Sequence, residues 1–201
     1  MSVAPLTVTR PSAIQASASR REHRPARAIT LAIRSWEGIS GVSVMIEPGS
    51  GRRGESSSFM DEALGAARDA AGRGEVPVGA AVVKDGKLLA LDGNRTRELS
   101  DPTAHAEILA IRAACRLLGD ERLPGCDLYV TLEPCPMCAA AISFARIRRL
   151  YFAAADPKGG GVEHGPRIFG QPTCHHAPES YGGLAETEAA ALLRDFFRER
   201  R

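Results

Sequence analysis

The sequence lacks any run of about 18 consecutive apolar residues, so we predict that no segment of it spans a bilayer. The first residues also lack the apolar block and small-residue cleavage site of a secretory signal, so an exported protein is not expected. Cysteine is scarce and odd in number, at five residues, which argues against a disulfide framework. We therefore expect a cytoplasmic protein in which a close pair of cysteines indicates metal binding or redox chemistry.

The sequence also carries little net charge, only +2 over 201 residues, and that charge is unevenly distributed. Residues 1–58 hold eight Arg and four Glu, a surplus of four positive charges. Residues 59–201 hold 18 basic and 20 acidic side chains, a deficit of two. Because this second segment is not broadly basic, any contact with nucleic acid must come from a local patch.

Residues 1–58 differ from the rest of the chain in composition. They are rich in Ser, Ala, Arg, Pro and Gly and show no sustained hydrophobic periodicity. We predict a disordered extension there, because such a segment buries too little apolar surface to offset its ordering entropy. Two alternatives stay open: a start codon assigned too early, with Met45 or Met60 as the true first residue, or a transit peptide. Residues 59–201 are the expected folded domain.

The first regular element predicted after this extension is an amphipathic helix. Ser58 followed by Asp61 resembles a capping box at a helix start. Apolar side chains then recur at helical spacing as far as Ala71, with charged residues between them. The helix is therefore expected to begin at Ser58 and to bury one face.

The rest of the domain alternates between strand and helix patterns. Asp85-Gly86 lies between two short apolar runs, which is typical of a β-hairpin. The predicted elements are strands at 78–83 and 88–91, a buried helix at 106–118, a strand at 128–132, a helix at 136–146, a strand at 147–153 and a closing helix with an apolar stripe of Ala189, Leu192, Leu193, Phe196 and Phe197. This order predicts an α/β fold whose mixed central sheet is covered by helices on both faces.

Two candidate metal ligands lie in residues 131–138 (TLEPCPMC), at the start of a predicted helix. Pro136 suits the first helical position, so Cys135 becomes the cap and Cys138 lies one turn later. The free amides of a helix start stabilise thiolates. Two thiolates and the imidazole of His105 would bind zinc well, and three protein ligands leave the fourth position for water, as in catalytic zinc sites.

His105 belongs to residues 101–107 (DPTAHAE), just before the predicted buried helix. Thr103 is the expected cap of that helix, which places His105 in its first turn. Glu107 follows His105 by two residues, about 200° further round a helix, so it is not expected to ligate the same ion. It can instead reach the metal-bound water and act as a proton shuttle.

This arrangement predicts a specific hydrolysis. Zinc lowers the pKa of its water toward about 7 and supplies hydroxide at neutral pH. The hydroxide attacks an electrophilic ring carbon that carries an exocyclic amine. Glu107 takes the proton of the water, delivers it to the ring nitrogen and assists the departure of ammonia.

The pairing of His-x-Glu with Pro-Cys-x-x-Cys is the signature of zinc-dependent nucleobase deaminases, and here Cys135 follows Glu107 by 28 residues. The chain resembles the cytidine deaminase superfamily and, within it, most closely the bacterial tRNA-specific adenosine deaminases. The segments that carry this resemblance are residues 75–80, 94–95, 101–107, 128–138 and 192–198, and the similarity covers about residues 59–158 and 186–201.

The resemblance implies an activity and a partner. The activity is hydrolytic conversion of adenosine to inosine at the wobble position of a tRNA anticodon stem-loop. The implied fold is a three-layer α/β/α sandwich with one Zn²⁺ per subunit, in a homodimer whose active sites lie near the subunit interface. The implied substrate contacts are Asn94 at the flipped base, Val76 and Pro77 in the base pocket, Ala106 between the catalytic residues, Asp156 and Lys158 beside neighbouring nucleotides, and Phe197, Arg198, Arg200 and Arg201 near the anticodon loop.

The chain departs from many tRNA deaminases at residues 165–169, 174–176 and 186–188. A deaminase of free guanine or cytosine therefore stays open as an alternative, and so does a non-catalytic RNA-binding protein with a structural zinc. Cys174-His175-His176 is either a second metal cluster or an exposed loop with incidental ligands. Two interpretations of the carboxyl-terminal arginines stay open: they contact RNA, or they are only solvated side chains at a helix end, where the helix dipole favours positive charge.

Overall fold

The computed structural model describes residues 55–200, and only the backbone of residues 55–58. The predicted extension over residues 1–58 therefore lies outside the described part, except for the helical backbone of its last residues. The alternatives of an early start codon and a transit peptide concern the same undescribed segment. Within the described part, no helix is both long enough and apolar enough to cross a membrane.

The described chain forms one five-stranded sheet with helices on both faces. Its elements are α1 (Glu55–Gly72), β1 (Gly79–Lys84), β2 (Lys87–Gly93), α2 (Ala106–Leu118), β3 (Cys126–Leu132), α3 (Pro136–Phe144), β4 (Arg149–Ala154), a 3₁₀ turn (Ile168–Gly170), β5 (Glu179–Gly182) and α4 (Glu186–Arg198). The strand order is β2-β1-β3-β4-β5; β1 is antiparallel to β2 and β3, whereas β3, β4 and β5 are parallel. The predicted α/β class with a mixed sheet is confirmed.

The β1–β2 hairpin turns at Asp85 and Gly86, as predicted. Their φ angles of 50° and 71° are both left-handed. A two-residue turn of this kind matches the right-handed twist of the strands that it joins. Strand β1 is buried on both faces over most of its length, which explains its continuous apolar run.

Two apolar cores separate the sheet from its helices. Helices α2 and α3 pack on one face around Phe152, and α1 and α4 pack on the other face around Tyr129. Gly79 allows α1 to lie directly on the sheet, because a Cβ there would stand 2.0 Å from the carbonyl oxygen of Ala63. The three-layer α/β/α arrangement expected from the resemblance is therefore confirmed.

Several predicted element bounds are wrong: β2 and β3 are longer than predicted, and three other elements start or end elsewhere. Helix α1 begins at Glu55, so Ser58 lies inside the helix and does not cap it. Helix α3 ends at Phe144, since the backbone turns left-handed at Arg146, where φ is 59°. Strand β4 consequently starts at Arg149 rather than at residue 147.

Strand β5 was not predicted at all. Its four residues are all exposed, so they show no alternation of apolar and polar side chains. The strand forms through parallel pairing with β4 and through stacking of Tyr181 on Tyr151, with ring centroids 5.1 Å apart. Both of these contacts are long-range, and neither leaves a local sequence pattern.

Candidate metal centre

The three predicted metal ligands converge at the carboxyl end of β3. Cys135 is the N-cap of α3 with Pro136 behind it, as predicted, and the Cys138 side chain is buried one turn later. The Nδ1 atom of His105 lies 3.8 Å from the sulfur of Cys135 and 3.5 Å from that of Cys138. In the described part of the chain, this is the one cluster of three or more His, Cys, Asp or Glu side chains arranged to hold a metal ion.

The cap predicted at Thr103 is wrong. Helix α2 starts at Ala106, and its N-cap is His105, which has extended backbone angles of −73° and 152°. The hydroxyl of Thr103 donates instead to the carboxylate of Asp101 at 2.7 Å, and the Thr103 amide donates to the same oxygen at 2.7 Å. The imidazole therefore projects from the start of the helix rather than from its first turn.

The donor set fits a zinc ion in both geometry and chemistry. Zinc bonds of about 2.3 Å to sulfur and about 2.0 Å to nitrogen, at tetrahedral angles, give nitrogen–sulfur separations of about 3.5 Å. The Nδ1 atom of His105 lies 3.5 Å from one sulfur and 3.8 Å from the other, close to this value. The cluster contains three side chains, so it supplies three of the four ligands of a tetrahedral zinc ion.

The pKa values of the two thiols are shifted in opposite directions. The hydrogen bond from the Cys138 thiol, aided by the His105 ring, lowers the pKa of Cys135 to about 4. The same hydrogen bond, together with burial, raises the pKa of Cys138. A metal that binds both sulfurs as thiolates must displace any proton that they carry.

Glu107 lies beside this cluster, in the first turn of α2. It is buried, with 3% of its surface exposed. Its Oε2 is the one buried side-chain nitrogen or oxygen atom of the described residues that has no hydrogen-bond partner. Burial raises the pKa of the Glu107 carboxyl. An unpartnered buried oxygen next to three metal ligands is where a reacting water or substrate atom would be accommodated.

Asn94 supports the start of the same helix. Its Oδ1 accepts a hydrogen bond of 2.9 Å from the amide of Ala106, and its own backbone amide donates to Val78 at 3.0 Å. Ala106 is fully buried in the core, so in this structure it offers no exposed surface to a substrate. Of the two residues assigned to the base pocket, Val76 is half-buried against the α2 core and Pro77 is buried.

Two buried carboxylates near the centre were missed by the sequence reasoning. Glu75 accepts hydrogen bonds from the backbone amides of Arg97 and Glu98 and from the hydroxyl of Thr96. It thereby anchors the loop of residues 94–105, which we name the Asn94 loop. The one sequence signal was an acidic residue directly before the apolar run that leads into β1.

The second missed residue, Glu133, anchors the loop of residues 155–164, which we name the Asp156 loop. Burial alone would raise the pKa of Glu133, but hydrogen bonds from Asp156, from the backbone and ring of His164 and from Glu163 bring it to about 2. Within this loop, Asp156 is half-buried and Lys158 is exposed. The carboxylate of Asp156 accepts hydrogen bonds from the amides of Lys158 and Gly159.

Two of the arginines predicted to contact RNA instead contact residues at the end of α4 in this structure. The Arg200 guanidinium lies 3.6 Å from the centroid of the Phe196 ring and donates to the Phe196 carbonyl. Arg198 pairs with Asp195 at 3.0 Å. Phe197 is 50% exposed, so it is not part of the core stripe predicted for this helix. Arg201 lies outside the described residues.

The second metal cluster considered at residues 174–176 does not form among the described residues. The His176 ring donates to the carbonyl of Ile147 at 2.6 Å, and its amide donates to the Ser143 hydroxyl at 3.1 Å. Cys174 lies 3.4 Å from the same hydroxyl. These residues therefore attach a loop to the end of α3.

An open cleft of about 620 Å³ lies elsewhere, at the amino ends of β3, β4 and β5. Its basic lining residues include Arg122, Arg146 and Arg148. Since the metal ligands follow the carboxyl end of β3, the cleft and the metal centre lie at opposite ends of the sheet.

Comparisons with known proteins agree with this geometry. The family model for the cytidine and deoxycytidylate deaminase zinc-binding region matches residues 54–154. The tRNA-specific adenosine deaminase of Agrobacterium fabrum is 68% identical over 147 residues, which are 73% of this chain and 97% of the relative. That of Aquifex aeolicus is 47% identical over 144 residues, 71% of this chain and 94% of the relative.

Solved structures of two deaminases are similar to this chain in fold. One from a study of A-to-I editing by tRNA:A34 deaminases at the wobble position of transfer RNA is 68% identical, with a TM-score of 0.68, and covers 68% of this chain and 99% of that one. A guanine deaminase from Nitrosomonas europaea is 27% identical, with a TM-score of 0.59, and covers 78% of this chain and 88% of that one.

Proposed function

The chain belongs to the cytidine and deoxycytidylate deaminase family and, within it, to the tRNA-specific adenosine deaminases, and on that premise we propose that it converts adenosine at the wobble position of tRNA into inosine. The observation that carries this function is 68% identity along 97% of such a deaminase. Zinc is the cofactor, one ion per subunit, held by His105, Cys135 and Cys138. In the reaction, water adds to C6 of adenine, the bond from C6 to the exocyclic nitrogen breaks, and ammonia leaves.

Glu107 moves the protons of this reaction. When bound, zinc supplies a water of lowered pKa as the nucleophile. The free Oε2 of Glu107 accepts one proton of the attacking water and passes it to the ring nitrogen. The same carboxylate then takes the second proton of that water, from the hydroxyl now on C6, and gives it to the departing amine, so that C6=O forms as ammonia leaves.

Asn94 binds the target base. The Ala106 amide fixes the orientation of the Asn94 side chain by donating to its oxygen. The amide NH₂ group then remains as a donor, and adenine offers ring nitrogens as acceptors. Val76 and Pro77 line the base pocket, next to the α2 core against which Val76 packs.

The RNA around the target base is held by two further groups of residues. Asp156 and Lys158 contact the neighbouring nucleotides from the Asp156 loop, where Lys158 is exposed. Phe197 and the arginines at 198, 200 and 201 contact the anticodon loop, and the half-exposed ring of Phe197 is available for stacking on a base.

One substrate comparison tests the function. The full chain, with its bound zinc measured on the same sample, is given tRNA transcripts that carry adenosine at the wobble position, and separately free adenosine, guanine and cytosine. We expect one inosine per tRNA, at that position, and no comparable turnover of the free compounds. Turnover of guanine or cytosine with inert tRNA would overturn the tRNA assignment and leave the hydrolytic chemistry in place.

We also propose that the protein works as a homodimer in the cytoplasm. The outer face of α3 carries Met137, Ala140, Ala141 and Phe144 at helical spacing, and Phe144 is 64% exposed. A second copy of the chain would cover this apolar face. All five cysteines are free, as expected in a reducing compartment. Sedimentation should show a dimer that Phe144→Glu weakens; a monomeric wild type would contradict the proposal.

A further inference from the structure

Glu133 is a buried carboxylate that the reaction described above does not use. It is the first residue after β3 and precedes the metal ligand Cys135 by two positions. Its side chain is fully buried. Burying a charge is costly unless hydrogen bonds compensate, so the surroundings of this side chain must supply donors.

Five donors surround the Glu133 carboxylate, and all of them belong to the Asp156 loop. Oε2 accepts from the amide of Asp156 at 3.0 Å and from the Nδ1 atom of His164 at 2.7 Å. Oε1 accepts from the amides of Val162, Glu163 and His164 at 3.2, 2.9 and 2.9 Å. One carboxylate therefore joins the beginning of the loop to its end.

The loop also lies in direct contact with the start of α3. The amide of Gly161 donates to the carbonyl of Pro134 at 2.8 Å. A Cβ on Gly160 would stand 2.5 Å from the Glu133 carboxyl carbon, and a Cβ on Gly161 would stand 2.6 Å from the nitrogen of Pro136. The two glycines thus allow the loop backbone to pack against the segment that carries Cys135.

The chemistry of the five contacts requires an acid at this position. Every partner is a donor, and an ionised carboxylate is a pure acceptor on both of its oxygens. A glutamine of the same shape would direct its own NH₂ group at one set of donors and leave them unpaired. The acceptor-only carboxylate therefore complements the five donors of the loop, which a neutral amide at the same position would not.

We propose that Glu133 is a positioning residue for the deamination: by holding the Asp156 loop against the start of α3, it fixes Asp156 and Lys158 relative to the metal centre. This inference rests on the proposed function, in which that loop contacts the nucleotides beside the target. Glu133 acts through the loop and touches neither metal nor substrate.

The test compares Glu133→Gln with Glu62→Gln, which makes the same chemical change on an exposed side chain of α1. Both variants of the full chain are assayed for zinc content, kcat and KM on tRNA, and hydrogen exchange of the loop amides. We expect Glu133→Gln to keep one zinc per chain, to raise KM by about tenfold or more, and to accelerate exchange at residues 156 and 162–164.

A merely structural role predicts a different pattern, in which kcat falls with the folded fraction while KM is unchanged. His164→Ala removes one of the five hydrogen bonds and serves if Glu133→Gln does not fold; it should raise KM by a smaller factor with full zinc content. A KM equal to that of Glu62→Gln, or unchanged loop exchange, overturns the proposal. A wild type that makes no inosine refutes the proposed function instead, while the exchange data still show whether Glu133 holds the loop.

Discussion

Two loops lie next to the metal centre, and each is anchored by one buried carboxylate. Glu75 accepts two backbone amides and one hydroxyl of the Asn94 loop. Glu133 accepts four backbone amides and one imidazole of the Asp156 loop. In both loops a single side chain satisfies several amides that have no strand or helix partner.

The loops differ in where they lead. The Asn94 loop ends at the ligand His105, so its conformation sets the position of a metal-binding atom. The Asp156 loop begins 17 residues after the last ligand, Cys138, and contributes no atom to the cluster. The same device therefore positions a metal ligand in one loop and, in the function that we propose, the substrate contacts in the other, so disturbing each should affect a different measurement.

The largest expected effect is at Glu107, the buried carboxylate beside the metal ligands. Glu107→Ala should retain zinc and lower turnover of tRNA by about 10²–10⁴-fold, because the proton shuttle is lost while the ligands stay. Inosine formation and bound metal are measured on one sample. Unchanged activity would favour a structural zinc in a non-catalytic RNA-binding protein.

Glu75→Ala tests the Asn94 loop. Without the carboxylate, the backbone amides of Arg97 and Glu98 lose their shared acceptor, so the segment that leads to His105 should loosen. We expect zinc affinity to fall by about tenfold or more, as for other residues that orient metal ligands. Competition with a chelator measures it, with Glu133→Gln as the contrasting variant. Equal zinc affinity in the two variants would remove the distinction between the loops.

Gly160→Ala tests how tightly the Asp156 loop packs. Its methyl group would press on the Glu133 carboxyl, so we expect unfolding free energy to fall by about 1–3 kcal/mol. Gly170→Ala is the control, because nothing lies within 4 Å of a Cβ there. Urea denaturation of both variants measures this free energy. Equal midpoints would mean that the loop accommodates the methyl group with no loss of stability.

The smallest expected effect concerns RNA contacts beyond the two loops. Replacing Arg198, Arg200 and Arg201 with Ala should weaken tRNA binding a few-fold and lower its salt slope by about two to three, if each arginine touches one phosphate. Binding is measured by titration at several salt concentrations. A slope equal to that of the wild type would assign these arginines to the solvated helix end.

The sequence predicted those parts of the molecule whose causes are local. Asp85-Gly86 predicted the hairpin, and the spacing of Cys135 and Cys138 behind a helix-starting proline predicted two ligands on one turn. The cap at Thr103 was wrong because Asp101 takes its hydroxyl. Here two local options were available, and the sequence pattern did not distinguish between them.

Apart from the convergence of the metal ligands, which the deaminase motif indicated, features with long-range causes were not predicted. Glu75 and Glu133 look like ordinary acids in the sequence, since their partners lie 21–31 positions away. Only the fold brings the loops to them. The resemblance to deaminases indicated Asp156 and Lys158, but it gave no sign of what holds their loop in place.

The short fifth strand has a consequence for how copies of this chain meet. Strand edges expose unpaired backbone groups on which another chain can assemble a further strand. Here that edge is only four residues long, follows Pro178, and carries Glu179 paired with Arg149. A brief, charged border of this kind is a poor template for cross-β growth, so this side of the sheet is protected against edge-to-edge aggregation.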